Sequence, residues 1–147
     1  MLRALYAVNC DSSYHHVGVA TFLLFAFRLH WAHAFGVSVE VTPVHTKGER
    51  ESFLRLPWRL YRDDPAWVPN LLMLQRDVIS EKKNPFFDHG EAQLFLARRE
   101  GEVVGRISAQ VDRNHNAQHD ERTGFFGFFE CIDDGEVVEA LLQTAES

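Results

Sequence analysis

Residues 124–147 read GFFGFFECIDDGEVVEALLQTAES, and this stretch decides the fold. Gly124 to Ile132 is apolar almost throughout, which is typical of a central strand covered on both faces. From Asp133 the spacing becomes helical, and Asp133 and Glu136 stand at the positions of a capping box. The buried stripe of this helix is predicted to contain Val137, Val138, Leu141, Leu142 and Ala145. The stretch therefore predicts a buried strand that turns directly into an amphipathic helix.

Two more strands are predicted immediately upstream, at Ala92–Arg99 and Val103–Asp112, with a turn at residues 100–102 between them. In the second run one face carries Val103, Gly105, Ile107, Ala109 and Val111, and the other carries Arg106, Ser108, Gln110 and Asp112. Arg113 to Thr123 is predicted to be a polar loop. Together with the strand above, these runs predict a three-stranded antiparallel meander.

The segment before the meander begins with a half-buried strand at Val37 to Val44. Thr46 and Glu49 have the spacing of a second capping box, and apolar residues follow at helical spacing. Pro57 predicts a break or kink in this helix, because proline lacks an amide donor and its ring crowds the preceding turn.

Tyr61 to Asn70 contains several helix breakers and is predicted to be an irregular connector. Its neighbourhood is aromatic: Trp58, Tyr61 and Trp67 either line a binding groove or cover an edge of the core. A second helix is predicted from Asn70 to about Ser80, with an inward face made of Leu71, Leu74 and Val78.

Residues 1–36 differ in composition from the rest, and we divide the chain into this apolar extension and a domain at residues 37–147. The apolar run Val17–Phe27 is followed closely by Arg28, His30 and His33. An uninterrupted stretch of about 20 apolar residues, as a bilayer span requires, is therefore absent. The run also starts too late for a typical signal peptide. Two interpretations stand: an unnatural extension, for example from a mis-assigned translation start, or a membrane anchor.

The bulk composition is that of one ordinary globular domain, with 147 residues, 46% of them hydrophobic and 24% charged. A formal net charge of -6 argues against nonspecific nucleic-acid binding, which needs a basic surface. The two cysteines, Cys10 and Cys131, are too far apart in sequence to suggest a disulfide framework or a thiolate zinc site. A reducing cytoplasm is therefore the expected location, and membrane association is not expected.

The predicted topology lacks the strand to which its last helix would return. A buried strand followed by an amphipathic helix is the first two-thirds of a crossover that returns to a parallel strand. The sequence stops at Ser147, within or just after that helix. We therefore expect the N-terminal part of a larger α/β domain with an incomplete sheet, whose exposed edge favours self-association.

The order of predicted elements resembles the first half of the GNAT acyltransferase superfamily. Several short sequence motifs are similar to those of a mostly uncharacterised bacterial family of GNAT-like proteins, and the similarity covers about residues 37–146. These motifs are LPWRLY (56–61), DPAWVP (64–69), KNPFFDH (83–89), VGRI (104–107), NHN (114–116) and GFFGFFECI (124–132).

The resemblance implies acyl transfer from an acyl-coenzyme A to an amine, here an unknown small molecule. In the superfamily the pyrophosphate of the cofactor sits on backbone amides where the helix starts, which points to Cys131, Ile132 and Gly135 as cofactor-binding residues. The usual glycine-rich signature is reduced here to Gly135, and carboxylates surround it at residues 133, 134 and 136. Since carboxylates repel phosphate, coenzyme A binding is predicted to be weak. The alternative is a non-catalytic ligand-binding or interaction module on the same scaffold.

Glu130 is the candidate general base, because the resemblance places a carboxylate that deprotonates the amine near this end of the strand. Burial among phenylalanines would favour proton uptake by such a group. The competing interpretation is a strand carboxylate paired with an arginine such as Arg106. Cys131 is expected to be a small buried side chain, because no basic partner for a nucleophilic thiolate is evident.

Histidines and carboxylates cluster between Asp112 and Asp120. No metal site is predicted there, because zinc needs a closed tetrahedral ligand set and Asn and Asp residues in such segments usually form turns. His89 is expected to act in capping or packing rather than as a base.

Overall fold

The computed structural model describes residues 6–9 and 38–147, and its strands form one antiparallel sheet. The strands are β1 (Tyr6–Asn9), β2 (Glu40–Pro43), β3 (Gly90–Arg99), β4 (Glu102–Asp112) and β5 (Thr123–Cys131), in the spatial order β1-β5-β4-β3-β2. The helices are α1 (Lys47–Leu60), α2 (Leu72–Val78), α3 (Arg113–His119) and α4 (Gly135–Glu146), with a 3₁₀ turn at Pro85–Asp88. The mixed α/β fold and its three-stranded meander, β3-β4-β5, are confirmed.

Strand β1 was not predicted from the sequence. Its backbone pairs antiparallel with the start of β5, in a register that sets Tyr6 opposite Phe126 and Asn9 opposite Thr123. The apolar run at residues 17–35, on which both interpretations of the extension depend, lies outside the described residues. Neither interpretation is tested.

The sheet is covered on both faces. On one face α1 and α2 pack against a cluster of Val44, Phe53, Leu54, Ile79 and Leu96. On the other face α4 packs through Val137 and Leu141 onto Ala97, Val104 and Ile107. This helix lies very close to β4, because a Cβ at Gly105 would be only 2.8 Å from Leu141 Cδ1. The glycine thus brings α4 within contact of the meander.

The predicted alternation along β4 fails at one position. Val103 packs with the α1 cluster, away from Ile107 and its neighbours on the α4 face. The reason is a register irregularity between Ala97 and Arg98 on β3, opposite this end of β4. A one-residue shift moves side chains to the other face of a sheet.

The capping box at the start of α1 is confirmed. Thr46 Oγ1 accepts a hydrogen bond from the amide of Glu49 at 3.2 Å, and Glu49 Oε2 accepts one from the amide of Thr46 at 2.8 Å. The amides of Thr46 and His45, in that order, lower the pKa of Glu49 from its ordinary value of 4.5 to about 2.

Replacing Glu49 with glutamine is expected to lower stability at neutral pH, with an effect that fades in acid. The pKa is lower in the folded state, so the ionised carboxylate stabilises the fold above about pH 4.5 and loses that contribution as pH falls through about 2. Urea unfolding of the wild type and E49Q at several pH values measures the difference. An unchanged difference between pH 5 and pH 2 would contradict the assignment.

The break expected at Pro57 is wrong, because α1 continues to Leu60; the alternative, a kink at Pro57, stays a prediction. Proline has no amide to donate to the carbonyl oxygen of Phe53, one turn earlier. Arg106 Nη1 donates to that oxygen instead, at 2.6 Å, so the carbonyl has a buried partner. A side chain from β4 thus replaces the hydrogen bond that the helix lacks.

The predicted inward face of the second helix is also wrong. Leu71 and Leu74 are 66% and 52% exposed, and Val78 is exposed as well. Leu72 packs against the core, while Gln75 and Ile79 are buried. Helix α2 is shorter than predicted and rotated by one residue, and Leu71 stands at its N-cap instead of Asn70.

The polar loop predicted at Arg113–Thr123 is largely replaced by α3. Asp112 caps this helix, since its Oδ1 accepts hydrogen bonds from the amides of Asn114 and His115 at 2.9 and 3.2 Å. The Asn and His residues of this run are typical of turns, so the sequence predicted a loop where a helix of only seven residues forms.

Candidate functional site

A β-bulge interrupts β5 at Phe128. Ser108 pairs with Gly127 and Arg106 pairs with Glu130, so Ile107 lies opposite two residues, Phe128 and Phe129. Phe128 has a φ of 51°, a left-handed conformation that bulky residues rarely adopt. A bulge bends its strand and leaves a residue outside the hydrogen-bond ladder, and such strain often marks functional sites.

Glu130 lies two residues beyond Phe128 and pairs with Arg106, as the competing interpretation held. Arg106 Nε and Nη2 both bind Glu130 Oε2, at 2.8 and 2.5 Å. No donor from the described part of the chain contacts the other carboxylate oxygen, Oε1. The ion pair is therefore shown, while a catalytic role for Glu130 stays a prediction.

Arg106 is buried and joins three parts of the molecule. Besides Glu130 and the carbonyl oxygen of Phe53, its guanidinium lies over the rings of Phe53 and Phe128, 5.0 and 5.3 Å from their centroids. Burial lowers the pKa of Arg106, and the charge of Glu130 opposes that shift. The guanidinium thus connects α1, β4 and the bulge.

Three aromatic rings form a cluster, and Tyr61 is the member close enough to interact electrostatically with the ion pair. Trp67 packs edge-to-face on Trp58 at 5.5 Å between centroids and lies 5.7 Å from Tyr61. Burial raises the pKa of Tyr61, and the negative charge of Glu130 raises it further. All three side chains are half-buried, so the rings form a partly open wall that approaches Glu130 through Tyr61.

The turn into α4 is closed by its own side chains. Asp134, rather than the predicted Asp133, caps the helix, and its Oδ1 accepts from the amides of Glu136 and Val137 at 3.0 and 3.4 Å. Glu136 does not complete a capping box. Its carboxylate binds Arg99 Nη2 at 2.9 Å, while Arg99 Nη1 binds Asp134 Oδ2 at 2.7 Å.

This arrangement determines what the turn offers to a phosphate. The first amides of α4 already donate to a carboxylate, and the hydrogen bond from Arg99 holds the pKa of Asp134 below its ordinary value. Arg99 balances part of the acidic charge that the sequence places here. Because the same hydrogen bond raises the pKa of Arg99, the guanidinium stays charged.

The predicted cofactor-binding residues lie around this turn. Cys131 and Ile132 pack against the α4 cluster, and the Ile132 amide donates to the carbonyl oxygen of Val104 at 2.9 Å. Gly135 is exposed at the first position of the helix. Burial raises the pKa of the Cys131 thiol, followed by the charges of Asp134 and Asp133, which suits a packing role. Binding of a cofactor by these residues remains untested.

The histidine-rich segment around α3 forms pairs. His89 Nδ1 lies 3.0 Å from Asp112 Oδ1, and His115 packs on His119 with ring centroids 4.6 Å apart. Within residues 6–9 and 38–147, no cluster of three or more His, Cys, Asp or Glu side chains is placed to hold a metal ion. The described helices also include none that is both long and apolar enough to cross a membrane.

A cavity of about 340 Å³ lies between the helical layer and the sheet, and nothing in the sequence predicted it. Phe128 forms part of its wall, so the cavity reaches the bulge. Other lining residues come from four separate segments, among them Val44, Arg50, Ile79, Leu94 and Gln110. The cavity was missed because only the tertiary fold brings these segments together.

Comparison with known proteins gives two informative relatives. A protein of Caulobacter vibrioides named bacterial ceramide synthase is 45% identical over 109 residues, which is 74% of this chain. Protein YghO of Escherichia coli is 40% identical over 101 residues, or 69% of this chain. The chain spans only 28% and 26% of the length of these two relatives. No protein-family model matches, and no solved structure matches.

Proposed function

We propose that this chain is part of a GNAT-like N-acyltransferase that moves an acyl group from acyl-coenzyme A to the amine of a long-chain amino alcohol. The observation that carries the proposal is the bulged end of β5, where Phe128 and Glu130 precede the turn into α4. Strand β2, helices α1 and α2, the meander and α4 stand in the order that the resemblance implies, with β1 and α3 as additional elements, and this order supports the proposal.

The relative named ceramide synthase supports the substrate class. A ceramide is an amide between a fatty acid and a long-chain amino alcohol, so its synthesis needs an activated acyl group and an amine. The neutral amine nitrogen attacks the thioester carbonyl, the C–S bond breaks, and the thiolate of coenzyme A leaves. The nitrogen loses one proton as the amide forms.

Glu130 is the residue that we assign to that proton. Arg106 holds one oxygen of the carboxylate, and Oε1 faces no donor from the described residues, so it can accept the proton of the attacking amine. The residue left out of the ladder at the bulge can present its backbone amide to the oxyanion that develops on the thioester. The half-buried wall of Trp58, Tyr61 and Trp67 would exclude water from the reacting groups.

The acidic turn predicts how coenzyme A responds to mutation. If its phosphates approach the start of α4, D134N should strengthen binding, because it removes a negative charge and releases Arg99 Nη1. Asparagine still caps a helix, so the fold should be kept. Calorimetric titration of coenzyme A and acetyl-coenzyme A into the wild type and D134N measures the change, which we expect to be at least threefold.

D120N is the matched control for this titration. Asp120 ends α3 in a left-handed conformation that asparagine also accepts, so the net charge changes equally with little strain. Equal strengthening by D120N and D134N would mean that only net charge matters and would argue against phosphate binding at this turn. No binding by either variant, with both folded, would favour the non-catalytic module.

A further inference from the structure

The cavity has a polar and an apolar part. Its apolar wall includes Ile79, Leu94 and Phe128, and the amide side chains of Gln93 and Gln110 also line it. Its charged residues are on the solvent side: Arg50 and Glu81 pair at 3.7 Å, and both side chains are more than one-third exposed. Such a lining suits a ligand with hydroxyl groups and a short hydrocarbon stretch.

The size of the cavity sets the length of that ligand. A volume of about 340 Å³ lies near the lower end of the roughly 300–1,000 Å³ that small-molecule sites occupy. This is enough for the head of a long-chain amino alcohol and its first few carbons. The rest of an 18-carbon chain must therefore leave the cavity.

An exposed apolar surface begins where the cavity ends. Leu71, Leu74 and Val78 share one side of α2 at helical spacing, and all three are exposed. We call these three residues the outer face of α2. Val78 also lines the cavity, so the outer face and the cavity are continuous. Apolar groups grouped in this way usually contact a partner.

We propose that the cavity binds the polar end of a long-chain amino alcohol and that the outer face of α2 carries the rest of its hydrocarbon chain. The identity of the amine rests on the proposed function. Gln93 and Gln110 hydrogen-bond the hydroxyl groups, and Glu81 attracts the ammonium group during entry. Phe128 lines the cavity and its ring lies against the Arg106 guanidinium, so the head of the ligand would bind on the side of the cavity that faces the bulge.

Two variants and one matched control test this assignment in the full chain. A92L fills the cavity, because Ala92 lines it. L74D puts a charge on the outer face of α2 at a residue that does not line the cavity, and V111D does the same on β4, where Val111 is also exposed, 43% against 52% for Leu74. Calorimetry measures binding of an 18-carbon 2-amino-1,3-diol and its 8-carbon homologue, both below their micelle concentrations.

The expected pattern differs between the two ligands. A92L should weaken binding of both at least tenfold, because both place their heads in the cavity. L74D should weaken the 18-carbon ligand at least tenfold and the 8-carbon ligand less than twofold, because only the longer chain reaches the outer face of α2. V111D should leave both affinities unchanged.

Several results would overturn the assignment. One is an equal loss of affinity for the 18-carbon diol in L74D and V111D. Another is binding of an 18-carbon acyl-coenzyme A that A92L abolishes, while the amino diol does not bind. A melting temperature lowered by L74D but not by V111D would mean that another part of this chain covers the outer face. Dissociation of an oligomer by L74D, without a change in ligand affinity, would assign the face to a second copy.

The proposed function is tested separately, by measuring amide formation instead of ligand binding. Amide formation with the soluble 8-carbon amino diol should persist in L74D. If transfer occurs while the binding affinities are unchanged in A92L and L74D, only the cavity assignment fails. If the binding pattern appears without transfer to any amine, the proposed function fails and the cavity assignment stands.

Discussion

Replacing Arg106 with methionine is expected to lower the free energy of unfolding by about 3 kcal/mol, the lower end of the usual effect of breaking a buried ion pair, because the Glu130 side chain that is left behind is 25% exposed. The change leaves the Glu130 carboxylate without its partner. It also leaves the carbonyl oxygen of Phe53 without the donor that Pro57 cannot supply. Urea unfolding at pH 7 measures the loss.

A double variant separates these two contributions. R106M/E130M removes the buried charge together with its partner, a change that is often neutral elsewhere. Any remaining loss, expected to be about 1–3 kcal/mol, belongs to the unpaired Phe53 carbonyl. A loss below about 1 kcal/mol in R106M alone would show that water reaches the guanidinium and that the pair contributes little.

Replacing Leu141 with alanine is expected to lower the free energy of unfolding by about 3 kcal/mol. Leu141 is fully buried where α4 meets Gly105, so the change removes buried methyl groups and leaves a cavity. Thermal and urea unfolding give the magnitude.

Leu74 provides the matched control. It is also a helical leucine, but it is 52% exposed on the outer face of α2, so L74A should change stability by less than about 0.5 kcal/mol. A loss in L74A comparable to that in L141A would restore the inward α2 face that the sequence predicted and would remove the surface used for the lipid chain.

The regular patterns in the sequence were sufficient for the main architecture. The alternation along β4 and the helical stripe of α4 correctly placed Ile107, Val137 and Leu141 in the core. The capping box at Thr46 followed from side-chain spacing alone. Each of these features depends on neighbours close in sequence, which a periodic pattern records.

The features that sequence reasoning missed depend on distant partners. Pro57 stays within α1 because Arg106, 49 positions later, donates to the carbonyl of Phe53. The predicted inward face of α2 is exposed because the helix is rotated by one residue, and the apolar spacing could not distinguish between the two orientations. The bulge places Phe128, rather than a glycine, at a positive φ, so the usual composition signal is absent.

Only part of the candidate site could be predicted from the sequence. Glu130 and the turn at Gly135 came from a family resemblance, and the alternative pairing with Arg106 came from strand alternation. The role of Arg99 was not predicted, because the partners at Asp134 and Glu136 lie more than 30 positions away. The cavity next to Phe128 needed the packed helices and sheet to exist at all.

The most direct measurement is mass spectrometry of the chain incubated with a 16-carbon acyl-coenzyme A and the 8-carbon amino diol, together with a thiol assay. We expect the N-acyl amide, one free thiol per amide, and a rate that falls about 100-fold or more in an E130Q variant that remains folded. A folded wild-type chain that forms no amide, or that releases only free fatty acid, would contradict the proposed function.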